Sequence, residues 1–340
     1  MADTAFKSYL IEDRSYVAHL KREVNSLLKQ GGFSASRIGE IDIIIAELTS
    51  NIIKFADTGE FIYRLNNDAP NPYFEIFCLD NGPGNDDMQK MLRDGASTAN
   101  TLGHGLGAIN RLSDTFQLYS RAKWGSLFYS KTNIEPDKRT ISPAEKEISI
   151  GAIQTCITGE TLCGDGYDII RNGDETVFFV GDGLGHGSNA YEAVQTAIEA
   201  LKAGRLDTPS EIIRGIHEKV KRTRGLVATI AIYNHKKKQW KICGVGNVLA
   251  RLFNYSDNKT YMGHNGIIGG NIPGTMNDFV SAPEEFPFIV LTSDGIKSRW
   301  DISAYAGLLK YNPSVISGVI YKDNIRRNDD TLVLTAKVLN

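Results

Sequence analysis

The stretch Glu47–Ala56 reads Glu-Leu-Thr-Ser-Asn-Ile-Ile-Lys-Phe-Ala and is the most informative segment in the first part of the chain. Apolar residues recur at helical spacing through residues 36–56, which predicts a helix there. Glu47 and Asn51 are four residues apart, so they would share one face of that helix. Such a pair suits a carboxylate base beside an amide that binds Mg²⁺. Taken alone, the pair is more often ordinary polar surface.

A second polar group ends a predicted strand. Residues 73–79 are rich in aromatic and aliphatic side chains, and Asp80 follows them, ahead of Gly82 and Gly84. A carboxylate here can accept a hydrogen bond from a planar, amino-bearing base, and glycines allow close backbone approach. A tight turn would produce the same pattern, so both interpretations stay open at this point.

The segment ahead of a helix predicted to start near Leu106 is rich in glycine. It contains Thr98, Gly103, Gly105 and Gly107. Backbone N–H groups at a helix start, together with the helix dipole, favour phosphate binding. The spacing matches neither the Rossmann fingerprint nor the P-loop, because no Gly-Lys-Ser/Thr follows. A phosphate site of another type is therefore predicted.

In this order, the three segments resemble the GHKL ATPase superfamily. They are most similar to the small serine kinases of bacterial partner switching, the anti-sigma-factor and RsbT-type switch kinases. The resemblance covers about residues 36–130 and identifies residues 94–98 as part of the lid. It implies a Bergerat-type α/β sandwich for residues 1–135, with ATP as cofactor.

The same resemblance implies residue roles. Glu47 is expected to be the general base, Asn51 to bind Mg²⁺ within the ATP site, and Asp80 to contact adenine. The rest of the implied ATP site consists of Gly82, Gly84, Thr98, Gly103, Gly105 and Gly107.

In the second half of the chain, four carboxylates adjoin predicted strands: Asp165, Asp182, Asp294 and Asp329. Carboxylates gathered at one edge would repel each other without cations. An all-oxygen set suits Mg²⁺ or Mn²⁺ rather than zinc. Two such ions can activate a water for attack on a phosphoryl group. Each Asp alone is more often part of a turn, but the four together favour a metal site.

The segments Asp182–Gly187, Thr292–Gly295 and Asn328–Asp330 resemble the metal-dependent serine/threonine phosphatase family (PPM), in its SpoIIE and RsbX branch. The resemblance covers about residues 148–340 and implies an α/β/β/α sandwich. Whether Asp329 or Asp330 is a ligand stays open, because adjacent strand residues face opposite ways. The implied ligands of two metal ions are Asp165, Asp182, Asp294, Asp329 and the backbone carbonyl of Gly183.

Length and composition agree with an α+β chain of two domains. The 340 residues allow about two domains, and 41% hydrophobic with 23% charged residues is ordinary globular usage. Residues 136–147 are charged and contain two prolines, which predicts a linker between domains 1–135 and 148–340. In the second domain, residues 302–310 are one of the predicted helices.

Charge and cysteine usage exclude several classes of protein. The net charge of −2 argues against a nucleic-acid binder, and no apolar stretch approaches the roughly 20 residues of a membrane span. The four cysteines are scattered, which argues against a disulfide scaffold and favours a cytoplasmic location. Homodimer formation stays open.

The two halves resemble opposing enzymes of one signalling circuit. The expected function is a bifunctional bacterial regulator that phosphorylates and dephosphorylates a STAS-domain protein. That partner would be an anti-sigma antagonist or a stressosome-like protein, in a stress or sigma-factor pathway. The first alternative is a phosphatase regulated by ATP binding to a non-catalytic first domain. The second is a sequestering binding module without chemistry.

Overall fold

The computed structural model describes residues 5–56, 58–69, 71–87, 102–135, 147–205 and 207–339, with only the backbone for Arg14 and residues 102–104. The chain divides into two compact units, Met1–Thr140 and Ile141–Asn340. Among the described residues, no helix is long and apolar enough to cross a membrane.

The first unit is one antiparallel sheet with helices on one face. The strand order is β1-β2-β3-β5-β4. Buried side chains from the helices and from one face of the sheet form an apolar core, which includes Leu48, Ile52 and Cys78. The elements are β1 (Lys7–Ile11), α1 (Arg14–Gln30), α2 (Ala35–Phe55), β2 (Gly59–Asn66), β3 (Tyr73–Asp80), α3 (Leu102–Leu112), β4 (Thr115–Arg121) and β5 (Gly125–Asn133).

Local signals explain where the long helix α2 begins and how it packs. The Ser34 side chain accepts a hydrogen bond from the Arg37 N–H, which caps the first turn. The core-facing stripe of α2 includes Ile52, and a Cβ at Gly59 would lie 2.6 Å from that side chain. The close approach of β2 to α2 therefore depends on glycine at position 59.

The second unit contains two five-stranded antiparallel sheets. Their strand orders are β13-β10-β9-β8-β7 and β12-β11-β14-β15-β6. The strands are β6 (Ile148–Thr155), β7 (Asp165–Asn172), β8 (Glu175–Gly183), β9 (Leu226–Asn234), β10 (Gln239–Val245), β11 (Leu249–Phe253), β12 (Asn258–Tyr261), β13 (Phe279–Ser281), β14 (Phe288–Thr292) and β15 (Thr331–Val338). The helices are α4 (Ser188–Ala203), α5 (Pro209–Val220) and α6 (Pro313–Asn324).

Two apolar cores order these elements into layers. One lies between the sheets, where Phe178 and Trp240 of the first sheet meet Leu291 and Leu334 of the second. The other lies between the first sheet and helices α4 and α5. Helix α6 covers the outer face of the second sheet along β6 and β15. The result is the predicted α/β/β/α sandwich, and the α+β fold class is confirmed.

The predicted helix at residues 302–310 is wrong. The structure has two short 3₁₀ turns there, Ile302–Ala304 and Leu308–Lys310, separated by Gly307 at φ +74°. The regular helix starts only at Pro313, where the Asn312 side chain accepts from the Val315 N–H. Gly307, in the left-handed region, interrupts residues 302–310, and Pro313 starts the regular helix after the N-cap residue Asn312.

Candidate functional sites

The structure brings Glu47 of α2 against the start of α3. Glu47 and Asn51 are both half-buried on α2, and a side chain at Gly105 would clash with the Glu47 carboxylate. Because α3 begins at Leu102, Gly103, Gly105 and Gly107 lie in its first two turns. This corrects the expectation of a glycine loop ahead of a helix at Leu106. The helix N-terminus that favours phosphate is still present at this point.

Asp80 ends β3 beside the last turn of α2. Its Oδ1 accepts a hydrogen bond from the Gly82 N–H at 2.8 Å. A Cβ at Gly82 would lie 2.6 Å from the carbonyl oxygen of Phe55. The turn after β3 therefore packs on the end of α2, which also carries Asn51.

Gly84 serves the packing of this turn. It has φ +61°, and a Cβ there would clash with the carbonyl oxygen of Arg121 at the β4–β5 hairpin. The next residue, Asn85, donates its N–H to Ser120 Oγ at 2.9 Å. Thr98 and the rest of the expected lid, residues 94–98, lie outside the described residues.

In the second unit, Asp165 and Asp182 face each other. They are direct partners in the register of the β7–β8 hairpin. Asp165 is 2% exposed, and its Oδ2 accepts a hydrogen bond from Ser293 Oγ at 2.6 Å. Two carboxylates are therefore held side by side at the end of one hairpin, one of them buried.

The third carboxylate, Asp294, comes from the segment after β14. Its Oδ2 accepts from Asn247 Nδ2 at 2.9 Å. The preceding residue, Ser293, accepts the Leu332 N–H on its Oγ at 2.9 Å while donating to Asp165. Ser293 therefore links Asp165 to β15 through two hydrogen bonds.

The neighbours Asp329 and Asp330 have different surroundings. Asp330 is 3% exposed, and its two oxygens accept the Ile157 and Gly164 N–H groups at 2.8 and 2.7 Å. Asp329 is half-buried, and its Oδ1 accepts from the Asp330 N–H at 2.9 Å. Both carboxylate oxygens of Asp330 therefore bind the backbone of the loop between β6 and β7. This leaves Asp329 as the better candidate for a metal ligand.

Burial and mutual repulsion perturb these carboxyl groups. Burial and then Asp182 raise the pKa of Asp165 well above its usual range. Burial and then Asp294 raise the pKa of Asp182 to about 8. Burial also raises the pKa values of Asp329 and Asp330. Without a cation, these carboxyl groups are difficult to ionise together. Divalent cations would stabilise their ionised forms by offsetting the negative charge of the carboxylates.

Gly183 follows Asp182 at the point where the chain turns towards α4. A side chain there would clash with the carbonyl of Ala190, so only glycine fits. The Gly183 N–H donates to the Gly164 carbonyl at 3.0 Å. The backbone of residue 183 is thereby fixed next to the carboxylate pair.

Polar residues around the loop after Gly183 complete the rim of this site. The Arg224 side chain is exposed, and a Cβ at Gly185 would lie 2.7 Å from its Nη1. His186 Nδ1 and Glu160 Oε1 are 2.8 Å apart. Sequence reasoning missed Arg224 and Ser293. The only signal for Arg224 was its position in a basic segment just before β9.

Comparison with known proteins gives two separate matches along the chain. The family model of the histidine kinase-like ATPase domain matches residues 12–126. The serine/threonine-protein kinase RsbT of Bacillus subtilis (strain 168) is 35% identical over 101 residues. This is 30% of this chain and 76% of RsbT.

The second unit matches phosphatases. The phosphoserine phosphatase RsbX of Bacillus subtilis (strain 168) is 27% identical over 175 residues, which is 51% of this chain and 85% of RsbX. A crystal structure of RsbX in complex with magnesium is similar at 22% identity and a TM-score of 0.50, covering 57% of this chain and 96% of that one.

A structure from work on the bacterial stressosome is also similar. It has 24% identity and a TM-score of 0.52, and the match covers 56% of this chain and 100% of the other. At these identities, the two structural similarities show the fold of the second unit.

Proposed function

We propose that this chain both adds phosphate to and removes phosphate from a protein serine or threonine. Its first unit belongs to the histidine kinase-like ATPase family, and its second unit is homologous to RsbX-type phosphatases. The observation that carries the proposal is the facing pair Asp165 and Asp182, placed at one end of a hairpin within a partly buried carboxylate cluster.

For hydrolysis, this chain's residues would position two divalent cations and the phosphoprotein. The proposed donors are Asp165, Asp182, Asp294, Asp329 and the Gly183 carbonyl, all oxygen ligands that suit Mg²⁺ or Mn²⁺. When bound, such ions polarise the phosphoryl oxygens and lower the pKa of water. Ser293 would keep Asp165 in position through its hydrogen bond.

Arg224 is the proposed phosphate-binding side chain of the phosphatase unit. Its guanidinium lies beside the backbone of the loop that follows Gly183 and is exposed to solvent. A guanidinium presents several N–H donors in a planar fork that matches phosphate oxygens. It would orient the phosphoserine while the carboxylate cluster holds the cations.

For phosphoryl transfer, Glu47 would accept the proton of the substrate hydroxyl. Its carboxylate contacts the start of α3, where backbone N–H groups would face the phosphates of ATP. The amide of Asn51 would bind Mg²⁺ and Asp80 would accept from the adenine amino group. The similarity to the serine/threonine-protein kinase RsbT supports this assignment.

The proposed partner is a STAS-domain protein of a stressosome-like or sigma-factor pathway. The support is that one chain resembles both the kinase RsbT and the phosphatase RsbX.

The test uses the full chain, ATP, Mg²⁺ or Mn²⁺ and a panel of purified STAS-domain proteins, with phosphorylation measured by mass spectrometry. Asp182→Asn should raise phosphorylation of one panel member, and Glu47→Ala should abolish it. A first unit that only senses ATP would give dephosphorylation of pre-phosphorylated protein but no phosphorylation by any variant. If no panel member changes in either direction, the proposal fails.

A further inference from the structure

The loop between β6 and β7 carries two cysteines beside the carboxylate cluster. Cys156 is half-buried and Cys163 is buried. Their Sγ atoms and a carboxylate oxygen of Asp330 lie within 4.8 Å of one another. The proposed hydrolysis uses neither thiol. Two thiols at this separation need only small movements to reach the S–S distance of about 2 Å.

The backbone already holds the two cysteines together. Asp330 accepts the N–H groups of Ile157 and Gly164, and each of these residues immediately follows one of the cysteines. A turn inside the loop, from the Glu160 N–H to the Ile157 carbonyl at 3.1 Å, keeps the loop compact. A bond between the thiols would therefore close a loop whose ends are already joined, at little further cost in chain entropy.

We propose that Cys156 and Cys163 form a modification site, a dithiol that a hydroperoxide converts reversibly into an intramolecular disulfide. The sulfur of Cys156, the more accessible thiol, attacks an oxygen of the hydroperoxide; an S–O bond forms, the O–O bond breaks, and water or an alcohol leaves with the thiol proton. The Cys163 thiol then attacks the sulfenic sulfur; the S–S bond forms, the S–O bond breaks, and water leaves. The two sulfurs together lose two electrons, which the peroxide gains, and a dithiol reductant reverses the change.

The bond would act on the neighbouring ligand. Only Gly164 separates Cys163 from Asp165. A Cβ at Gly164 would lie 2.8 Å from Ala190 Cβ and 2.9 Å from Asp330 Oδ2, so this position has little room to absorb a movement. A shift of Cys163 towards Cys156 is therefore transmitted to Asp165.

We expect oxidation to weaken divalent-cation binding about ten-fold, the size found when groups that orient metal ligands are disturbed. This consequence rests on the proposed metal site of the phosphatase unit. The formation of the disulfide does not.

The first experiment treats the full chain with hydrogen peroxide and measures intact mass and cysteine-containing peptides before and after dithiothreitol. The expected product has lost two hydrogen atoms and contains a Cys156–Cys163 cross-linked peptide that dithiothreitol removes. Cys156→Ser should abolish the cross-link, and Cys243→Ala, a buried thiol of β10, should keep it. Sulfinic acid at Cys156 without a cross-link, a bond between two chains, or a cross-link to Cys78 or Cys243 would overturn the proposal.

The second experiment measures Mg²⁺ binding by calorimetry on the reduced, oxidised and re-reduced chain. Weaker binding in the oxidised chain alone, with peroxide-treated Cys156→Ser unaffected, supports the coupling to Asp165. Equal affinity in the reduced and oxidised chains refutes that coupling. A chain that forms the disulfide but binds no Mg²⁺ in either state overturns the metal site and leaves the dithiol assignment in place.

Discussion

At Asp182, burial and the neighbouring Asp294 act in the same direction, and the pKa rises to about 8. A carboxyl group whose folded-state pKa exceeds its unfolded value of 3.8 binds its proton more tightly in the folded state. Without metal, its contribution to stability is therefore greatest at low pH. That contribution falls as the pH rises from about 4 to about 8.

The first prediction is that Asp182→Asn raises the stability of the metal-free protein at pH 7.5 while it removes metal-dependent phosphatase activity. At pH 7.5, a carboxyl group with a pKa of about 8 is mostly protonated in the folded state and ionised in the unfolded state, so folding must take up a proton. The amide keeps the shape without that cost, so the free energy of unfolding in EDTA should rise by about 1–3 kcal/mol. Thermal unfolding with and without Mg²⁺ measures both effects. The control is Asp174→Asn, at an exposed carboxylate paired with Lys236, which should change neither. A metal-free Asp182→Asn protein less stable than the original would contradict the repulsion argument.

The second prediction concerns Ser293, which donates to Asp165 and accepts from the Leu332 N–H. Ser293→Ala leaves that buried N–H without its side-chain acceptor and frees Asp165. We expect stability to fall by about 1–3 kcal/mol and Mg²⁺ affinity to fall about ten-fold. Denaturant unfolding and calorimetry measure the two quantities. Ser298→Ala, at an exposed side chain, should leave Mg²⁺ affinity unchanged; unchanged affinity in Ser293→Ala as well would remove its positioning role.

The third prediction concerns substrate binding at Arg224. Arg224→Ala should raise KM for a phosphoserine peptide about ten-fold, because one charge-assisted contact to phosphate is worth about 1.5–3 kcal/mol. Arg224→Lys should recover part of this loss, since lysine keeps the charge but not the planar fork. Steady-state kinetics at saturating Mn²⁺ separates KM from kcat. A KM that stays constant in both variants would place the phosphate elsewhere.

At the level of elements, the hairpin β7–β8 was predictable and α6 was not. Residues 167–172 and 175–181 are short strand-like segments joined by only two residues, Gly173 and Asp174. Asp165 and Asp182 lie just beyond their outer ends, so their facing positions follow from antiparallel register. Helix α6 is buried on nearly all sides, so it has no polar face to give the helical period. The edge strand β1 was missed because three of its five residues are exposed and carry little apolar alternation.

Contacts between distant segments were also beyond sequence reasoning. Ser293 and Asp165 are 128 positions apart, and the loop beside Gly185 meets Arg224 only in the folded chain. A serine after a strand and a basic loop have no distinguishing local pattern. The aspartates could be recognised because four adjoin predicted strands, whereas the groups that orient them depend on how two sheets stack.

The fourth prediction tests the contact between α2 and α3 in the first unit. Gly105→Ala forces a methyl group against the Glu47 carboxylate, so ATP affinity or phosphoryl transfer should fall at least about ten-fold. Gly39→Ala is the matched control, because Gly39 lies exposed on α2 and a Cβ there would meet nothing within 4 Å. Alanine also favours the helix by up to about 1 kcal/mol, so Gly39→Ala should keep ATP binding and unfold at the same or a higher temperature. Similar ATP affinity in both variants would separate Glu47 from the phosphate site.

At the scale of the whole molecule, the proposed kinase and phosphatase sites on one chain would together form a cycle that consumes ATP. Each turn of the proposed cycle would phosphorylate the partner and then hydrolyse the phosphate, so ATP would be converted to ADP for as long as both sites work. The steady-state phosphorylation of the partner then depends on the ratio of the two rates rather than on either rate alone.

The last prediction is that this cycle stops in a different way in each single variant. With the partner and excess ATP, Asp182→Asn should produce one burst of ADP, equal to the number of phosphorylation sites, because phosphate is no longer removed. Glu47→Ala should produce little ADP and almost no phosphorylated partner, since loss of a general base costs about 10²–10⁴-fold. The original chain should produce ADP continuously at partial phosphorylation. A coupled ADP assay with mass spectrometry of the partner follows both quantities. Continuous ADP production by Asp182→Asn would show that its ATP hydrolysis does not pass through the phosphorylated partner, and a bifunctional cycle would then be excluded.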